Sequence, residues 1–171
     1  MKLNEIKIGE TFKIGGIEFI KFTDGDEVIA VSKDILFNSS FGNNSNFATS
    51  KIKTRLENEI LSKIEAEIGA ENIIQFETDM TALDGTKLYN NFNSKISLVT
   101  LDFYRQHREI FEKYKSSDWW WLSTAFSTPT HNDKSWILCV SPNGFIINYY
   151  FNFNLGVRPV LRFVSSIFVS E

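Results

Sequence analysis

From Thr11 onward the chain alternates apolar and polar positions in short runs. TFKI (11–14) and IEFIKF (17–22) flank Gly15-Gly16, and two residues without a Cβ can both take the positive φ of a tight two-residue connection. A hairpin is therefore predicted. VIAVS (28–32), entered through a turn at Asp24-Gly25, adds a third strand. The segment FNSSFGNNSNFATS (37–50) clusters Ser, Asn and Gly and reads as loop. The period then changes: Ile52, Leu56, Ile60, Ile64 and Ile68 recur at every fourth position with Leu61 beside them, which predicts a helix over about 50–68. Thr49 or Ser50 can cap it, Gly69 can stop it, and the charged remainder, from Lys51 to Glu67, reads as its solvated face. The less regular 71–94 carries one short strand and a turn at Asp84-Gly85.

KISLVT (95–100) predicts a strand, and Thr100 can cap a second helix over about 101–114, with Asp102 well placed in its first turn. His107 on that helix reads as a surface or packing residue. The chain is strand-rich again over 117–169. SWILCV and FIINYYFNFN flank Ser141-Pro142-Asn143-Gly144, where proline second and glycine fourth suit a tight reversal and predict a second hairpin. Linkers, repeats and low-complexity tracts are absent from the sequence. The expectation is one α+β domain over 1–171 with mixed or antiparallel sheets and two main helices, opened by a β-meander over 8–32.

Two late stretches carry the candidate chemistry. In the strand after the second hairpin turn, Ile147, Tyr149, Phe151, Phe153 and Leu155 share one side, and Asn148, Tyr150, Asn152 and Asn154 share the other. The first set belongs in a core. The second joins adaptable amides to a rigid ring, a composition of recognition surfaces, although it also fits the polar outer face of an edge strand. In DWWWLST, Trp119, Trp121 and Ser123 fall on one face and Trp120, Leu122 and Thr124 on the other. Either the strand is central and covered on both faces, or Trp119 or Trp121 reaches the surface as an anchor. The candidate binding residues are thus Trp119, Trp121, Asn148, Tyr150, Asn152 and Asn154. Nearby, Gly156 suits a bulge, Pro159 suits an edge or a position that needs no N–H, and Arg158 reads as a structural ion-pair or carbonyl-binding residue.

Composition narrows the function classes. Hydrophobic residues are 43% and aromatics 15% of 171 residues, enough for a real core. A formal charge of −3 gives no positive field to gather phosphates, which argues against nucleic-acid binding. The single Cys139 cannot form an intrachain disulfide, the start MKLNEIKIGE has no apolar signal core, and no run is long enough to cross a bilayer; a cytoplasmic protein is expected. Cys139, inside apolar WILCV, reads as a buried core residue. His131, Asp133 and Cys139 match no zinc spacing, and P-loop, Rossmann and nucleophile-elbow motifs are missing. No catalytic residue, metal or cofactor is assigned.

The chain resembles a family of uncharacterised domains common in Firmicutes and their phages. The resemblance lies in the glycine-punctuated strand pair from Ile8 to Phe19, the helix from Ser50 to Leu61, WWLST at Trp120–Thr124 and GVRPVL at Gly156–Leu161. Ser123 departs from it, since many members have arginine there. The last third also looks like C-type-lectin-like domains, including those of formylglycine-generating enzymes. That resemblance implies a small mixed sheet core flanked by two helices, with a binding face on late strands and loops. The clustered carboxylates of a lectin calcium loop are not seen, and one buried cysteine does not carry the enzyme's chemistry. The functional expectation is a non-enzymatic protein-binding domain of a phage or mobile element, with a protein partner in the bacterial host; inhibition of a host defence nuclease, as by an anti-CRISPR protein, is one version. Carbohydrate or cell-surface recognition within a larger particle, and an enzyme with an unrecognised metal site, are the alternatives. Oligomeric state is left open.

Overall fold

The computed structural model describes residues 1–131 and 133–171. β1 (Thr11–Ile14), β2 (Ile17–Lys21) and β3 (Glu27–Ser32) pair antiparallel in turn, as the alternation predicts. Gly15 and Gly16 take φ of +60° and +73° at the first turn. The segment read as loop contains β4 (Phe37–Ser39), and 71–94 contains two strands, β5 (Phe76–Thr78) and β6 (Phe92–Ser94), where one is expected. Three residues are too few for a period of two to stand out. β7 (Ile96–Leu98), β8 (Trp120–Ala125), β9 (Trp136–Val140), β10 (Ile146–Tyr150), β11 (Leu155–Val157) and β12 (Pro159–Val164) follow.

The first long helix is one rod in three parts: α1 (Lys51–Arg55), a π-helical stretch (Leu56–Leu61) and α2 (Ser62–Ile68). Ser50 is the cap, its hydroxyl accepting from the Lys53 N–H at 3.0 Å. Gly69 ends the rod at φ +85°. A strict four-residue apolar repeat drifts off one face of a 3.6-residue helix, and the wider π turn brings it back. Ile52, Leu56 and Ile64 are fully buried as a result, with Ile60, Leu61 and Ile68 packed beside them. The second helix is not continuous over 101–114. It is α3 (Leu101–Gln106) and α4 (Arg108–Lys113), broken at His107, which leaves helical backbone at φ −114°, ψ 27°. The break lets Phe103 and Phe111 both reach Phe22, with ring centroids at 5.2 and 4.8 Å.

Among the described residues the strands form two five-stranded sheets, ordered β1-β2-β3-β12-β7 and β10-β9-β8-β11-β4, and the β5-β6 ribbon. The first sheet is antiparallel throughout; in the second, β11 runs parallel to β8. This is mixed α+β architecture. The sheets are joined where β11 runs into β12 through Arg158, and again where the Ser123 N–H donates to the Val99 carbonyl at 3.0 Å. Two apolar clusters lie on opposite sides of both sheets. One gathers Phe12, Phe19, Phe163, Trp121 and Ile137 with the α1–α2 rod. The other gathers Ile20, Val31, Trp120 and Leu138 with Tyr104 and Phe111 of α3 and α4.

Candidate functional site

The β9–β10 hairpin is set by its turn. The Gly144 N–H donates to the Ser141 carbonyl at 2.8 Å, with Gly144 at φ +83°. The Tyr104 hydroxyl donates to the Gly144 carbonyl at 3.0 Å, and Arg108 reaches both, so α3 and α4 clasp the turn. The register then runs Ile146 to Val140, Asn148 to Leu138 and Tyr150 to Trp136. β10 is an edge strand. Ile147, Tyr149 and Phe151 pack against the core as the alternation predicts.

The strand ends sooner than its alternation implies. The Phe153 N–H donates to the Tyr150 carbonyl at 3.0 Å, closing a turn, while the Phe151 carbonyl accepts from Phe41 N–H at 2.8 Å. These bonds steer the chain from β10 into β11, where it pairs with β4. Asn152 and Asn154 are therefore exposed turn residues and do not continue the face of Asn148 and Tyr150. Phe153, expected in the core, is half exposed. Side-chain hydrogen bonds from Asn148, Asn152 and Asn154 are absent among the described residues, which leaves three carboxamides for solvent or a partner.

The tryptophan stretch also needs one correction. All six residues of β8 are buried, so it is a central strand covered on both faces. Trp121, a candidate surface anchor, is wholly inside: its indole N–H donates to the Ser39 carbonyl at 3.0 Å and its ring meets Phe41 edge-on at 5.4 Å. Trp120 lies on the other side against Tyr104 and Phe111. Trp119, half-buried ahead of the strand, packs edge-on against Tyr149 at 5.4 Å, and Tyr149 in turn meets Phe153 at 5.0 Å. Of the two indoles expected as anchors, only Trp119 reaches the surface.

Trp136 supplies a further exposed indole that the sequence reading passed over. It is 40% exposed and stands edge-on to Tyr150 at 5.4 Å. The signal was present, because a Ser141–Gly144 reversal puts Trp136 directly opposite Tyr150 on the same face. Phe126, also partly exposed, is tied alongside by its N–H to the Trp136 carbonyl at 2.9 Å. The hairpin thus carries rings on both sides: Trp136 and Tyr150 on one, and Trp119, Tyr149 and Phe153 on the other. No Asp, Glu, Lys or Arg lies between Phe145 and Asn154.

Arg158 and Pro159 sit in structural positions, and Gly156 departs from its expected role. Arg158 is buried, with Nε donating to the Ser32 carbonyl at 3.1 Å and its guanidinium 4.6 Å from the Trp120 ring. Desolvation lowers its pKa to about 10, so it stays charged at neutral pH; its Nη2 finds no acceptor among the described residues. Gly156 is not a bulge. A Cβ there would collide with the Ile35 side chain and come within 2.9 Å of the Trp119 carbonyl, so this glycine lets both approach β11. Pro159 begins β12, where a missing N–H is tolerated. Ser123 is buried and its hydroxyl points to the Val99 carbonyl.

His131, Asp133 and Cys139 are not brought together. His131 is exposed near Asp84 at 3.4 Å, Asp133 accepts from the Ser135 N–H, and Cys139 is buried, its pKa raised to about 12 by desolvation. Asp84 is held at about 2, chiefly by the Ser127 hydroxyl and then by Thr86. A cleft of about 600 Å³ lies between the 79–87 loop and α3; Asp79 and Asp102 share its walls with Lys87 and Arg105. Among the described residues no group of three His, Cys, Asp or Glu side chains is placed to hold a metal, and no helix is long and apolar enough to cross a membrane. Comparison with protein-family models, with curated proteins and with solved structures found no match to this chain.

Proposed function

We propose that this chain is a non-enzymatic protein-binding domain that recognises its partner through the β9–β10 hairpin and the turn after it. One observation carries the reading: the exposed rings of Trp136 and Phe153 and the half-buried ring of Tyr150 stand beside the carboxamides of half-buried Asn148 and exposed Asn152 and Asn154 on a segment without charge. Rings cover area at low entropic cost, and amides adapt their hydrogen bonds to what they meet. Charge-free cores with aromatic anchors are also what distinguish interfaces from ordinary surface. The domain is of C-type-lectin-like type in this reading, supported by its mixed sheet and by a recognition face on late strands and loops. Its partner is a protein of the bacterial host, met in the cytoplasm. A phage or mobile-element inhibitor of a host defence nuclease is the narrower form.

The test is affinity capture from host lysate with wild type, a Trp136→Ala, Tyr150→Ala double variant, and Glu59→Ala on the solvated face of the long helix as control. A protein retained by wild type and the control but lost with the double variant is the expected result. Retention by all three would place recognition elsewhere. Stacking of the same rings on a sugar is the second reading, favoured by the Trp136–Tyr150 pair beside free amides; calcium-independent binding to a glycan array, lost in the double variant, would replace the first reading.

A further inference from the structure

The backbone edge of β10 points to a second binding mode, which goes beyond the reading above because it uses main-chain groups in the plane of the sheet. The Phe151 N–H donates to the Ser135 carbonyl, and the Ser141 N–H to the Phe145 carbonyl. Odd-numbered residues therefore bond inward to β9, and in an antiparallel ladder the alternate residues Ile146, Asn148 and Tyr150 turn their N–H and C=O outward. Among the described residues only the Tyr150 carbonyl of this row is engaged, by Phe153. An open row of this kind is a template for another strand, and proteins ordinarily blunt it with charge, proline, a bulge or a cover.

The other edges are managed. β1 carries Lys13, and Lys13 exchanges backbone bonds with Ser170 of the C-terminal segment, at 2.8 and 3.4 Å. β4 and β7 are three residues long. β10 is five residues, with neither charge nor proline, and each of its residues is half-buried. Its pattern is also self-complementary. Turned about a twofold axis at Asn148, it places Ile146 opposite the Tyr150 of a second copy and Asn148 opposite its own equivalent. Ring-on-branched-aliphatic and amide-on-amide are favourable cross-strand pairs, and no like charges meet. Four backbone hydrogen bonds can form without disturbing the Tyr150–Phe153 turn: two between the Asn148 residues, and one from each Tyr150 N–H to the opposite Ile146 carbonyl.

We infer that two copies of this chain pair antiparallel through β10, centred on Asn148, to give a continuous ten-stranded sheet with a twofold axis, the commonest closed symmetry. Trp136 and Tyr150 of both copies then lie on one face. Sedimentation velocity over a concentration series tests it. Wild type is expected to pass from monomer to dimer with rising concentration. Asn148→Pro, whose missing N–H is one that faces outward and is not used by β9, is expected to remain monomeric, with an unchanged circular dichroism spectrum confirming that it folds. Asn148→Lys and Asn148→Asp are each expected to weaken association at least about tenfold, and an equimolar mixture of the two to restore it, because opposite charges then face each other. A wild type monomeric throughout would overturn the inference, as would a folded Asn148→Pro dimer or a charge-swap mixture that stays monomeric. None of these outcomes depends on the host partner.

Discussion

Trp120 and Trp121 are held by different partners on opposite faces of β8. Trp121 rests on Phe41 and gives its indole proton to Ser39, whereas Trp120 covers the Arg158 guanidinium and packs on Phe111. Removing either empties a closed site, and each loss leaves a polar group worse off: the Ser39 carbonyl in one case, the arginine in the other. Trp120→Ala and Trp121→Ala are therefore each expected to cost about 3–5 kcal/mol, measured by chemical denaturation. A Trp121→Ala variant of wild-type stability would mean that this side chain is not core. The sequence alone left the matter open because alternation tells which residues share a face, not how many layers cover it. Arg158, which binds the Ser32 carbonyl, was legible as a structural ion-pair or carbonyl-binding residue. Lys21 was not: fully buried, it donates to the carbonyls of Ile6 and Leu3 at 2.7 and 3.3 Å and pairs with Asp24 at 2.5 Å. Only its position in an apolar strand hinted at this.

Among the elements, β1 to β3, β8 to β10 and the long helical rod could be read from periodicity, and both hairpin turns from their glycines. The three-residue β7 could also be read, from KISLVT, and one strand is expected where β5 and β6 stand; β4, the second strand of 71–94 and the break at His107 could not be read, because tertiary packing decides them. At that break the imidazole lies 4.3 Å from the Phe103 ring and edge-on to Phe22, and burial lowers its pKa below 6.5. Above pH 6.5 the imidazole is neutral in both folded and unfolded chains. As pH falls through 6.5 the unfolded chain takes up a proton that the folded chain resists, so stability declines until the folded pKa is reached. The lowered carboxylates, Asp84 among them, lose their contribution only at more acid pH, below their unfolded values. His107→Gln is thus expected to flatten the fall in melting temperature between about pH 7 and pH 5. An unchanged slope in that variant would show that the histidine is not responsible.

At the scale of the whole molecule, two sheets share a seam and are covered by helices on both sides, yet one hairpin edge stays open. The parity of its side chains was legible; its length was not, because the Phe41–Phe151 and Tyr150–Phe153 bonds that end β10 come from the path of the chain into β11. Of the six residues the sequence nominated, Asn148 and Tyr150 stand on the hairpin, Asn152 and Asn154 on the exposed turn after it, Trp119 at its flank, and Trp121 inside. Site-specific photo-crosslinking in host cells tests recognition by this hairpin most directly, with benzoylphenylalanine in place of Tyr150 or Trp136 and, as control, Glu59. An adduct to a protein other than this chain, formed from Tyr150 and Trp136 positions and absent from the Glu59 position, is expected. Adducts formed equally from all three, or from the Glu59 position alone, would contradict it.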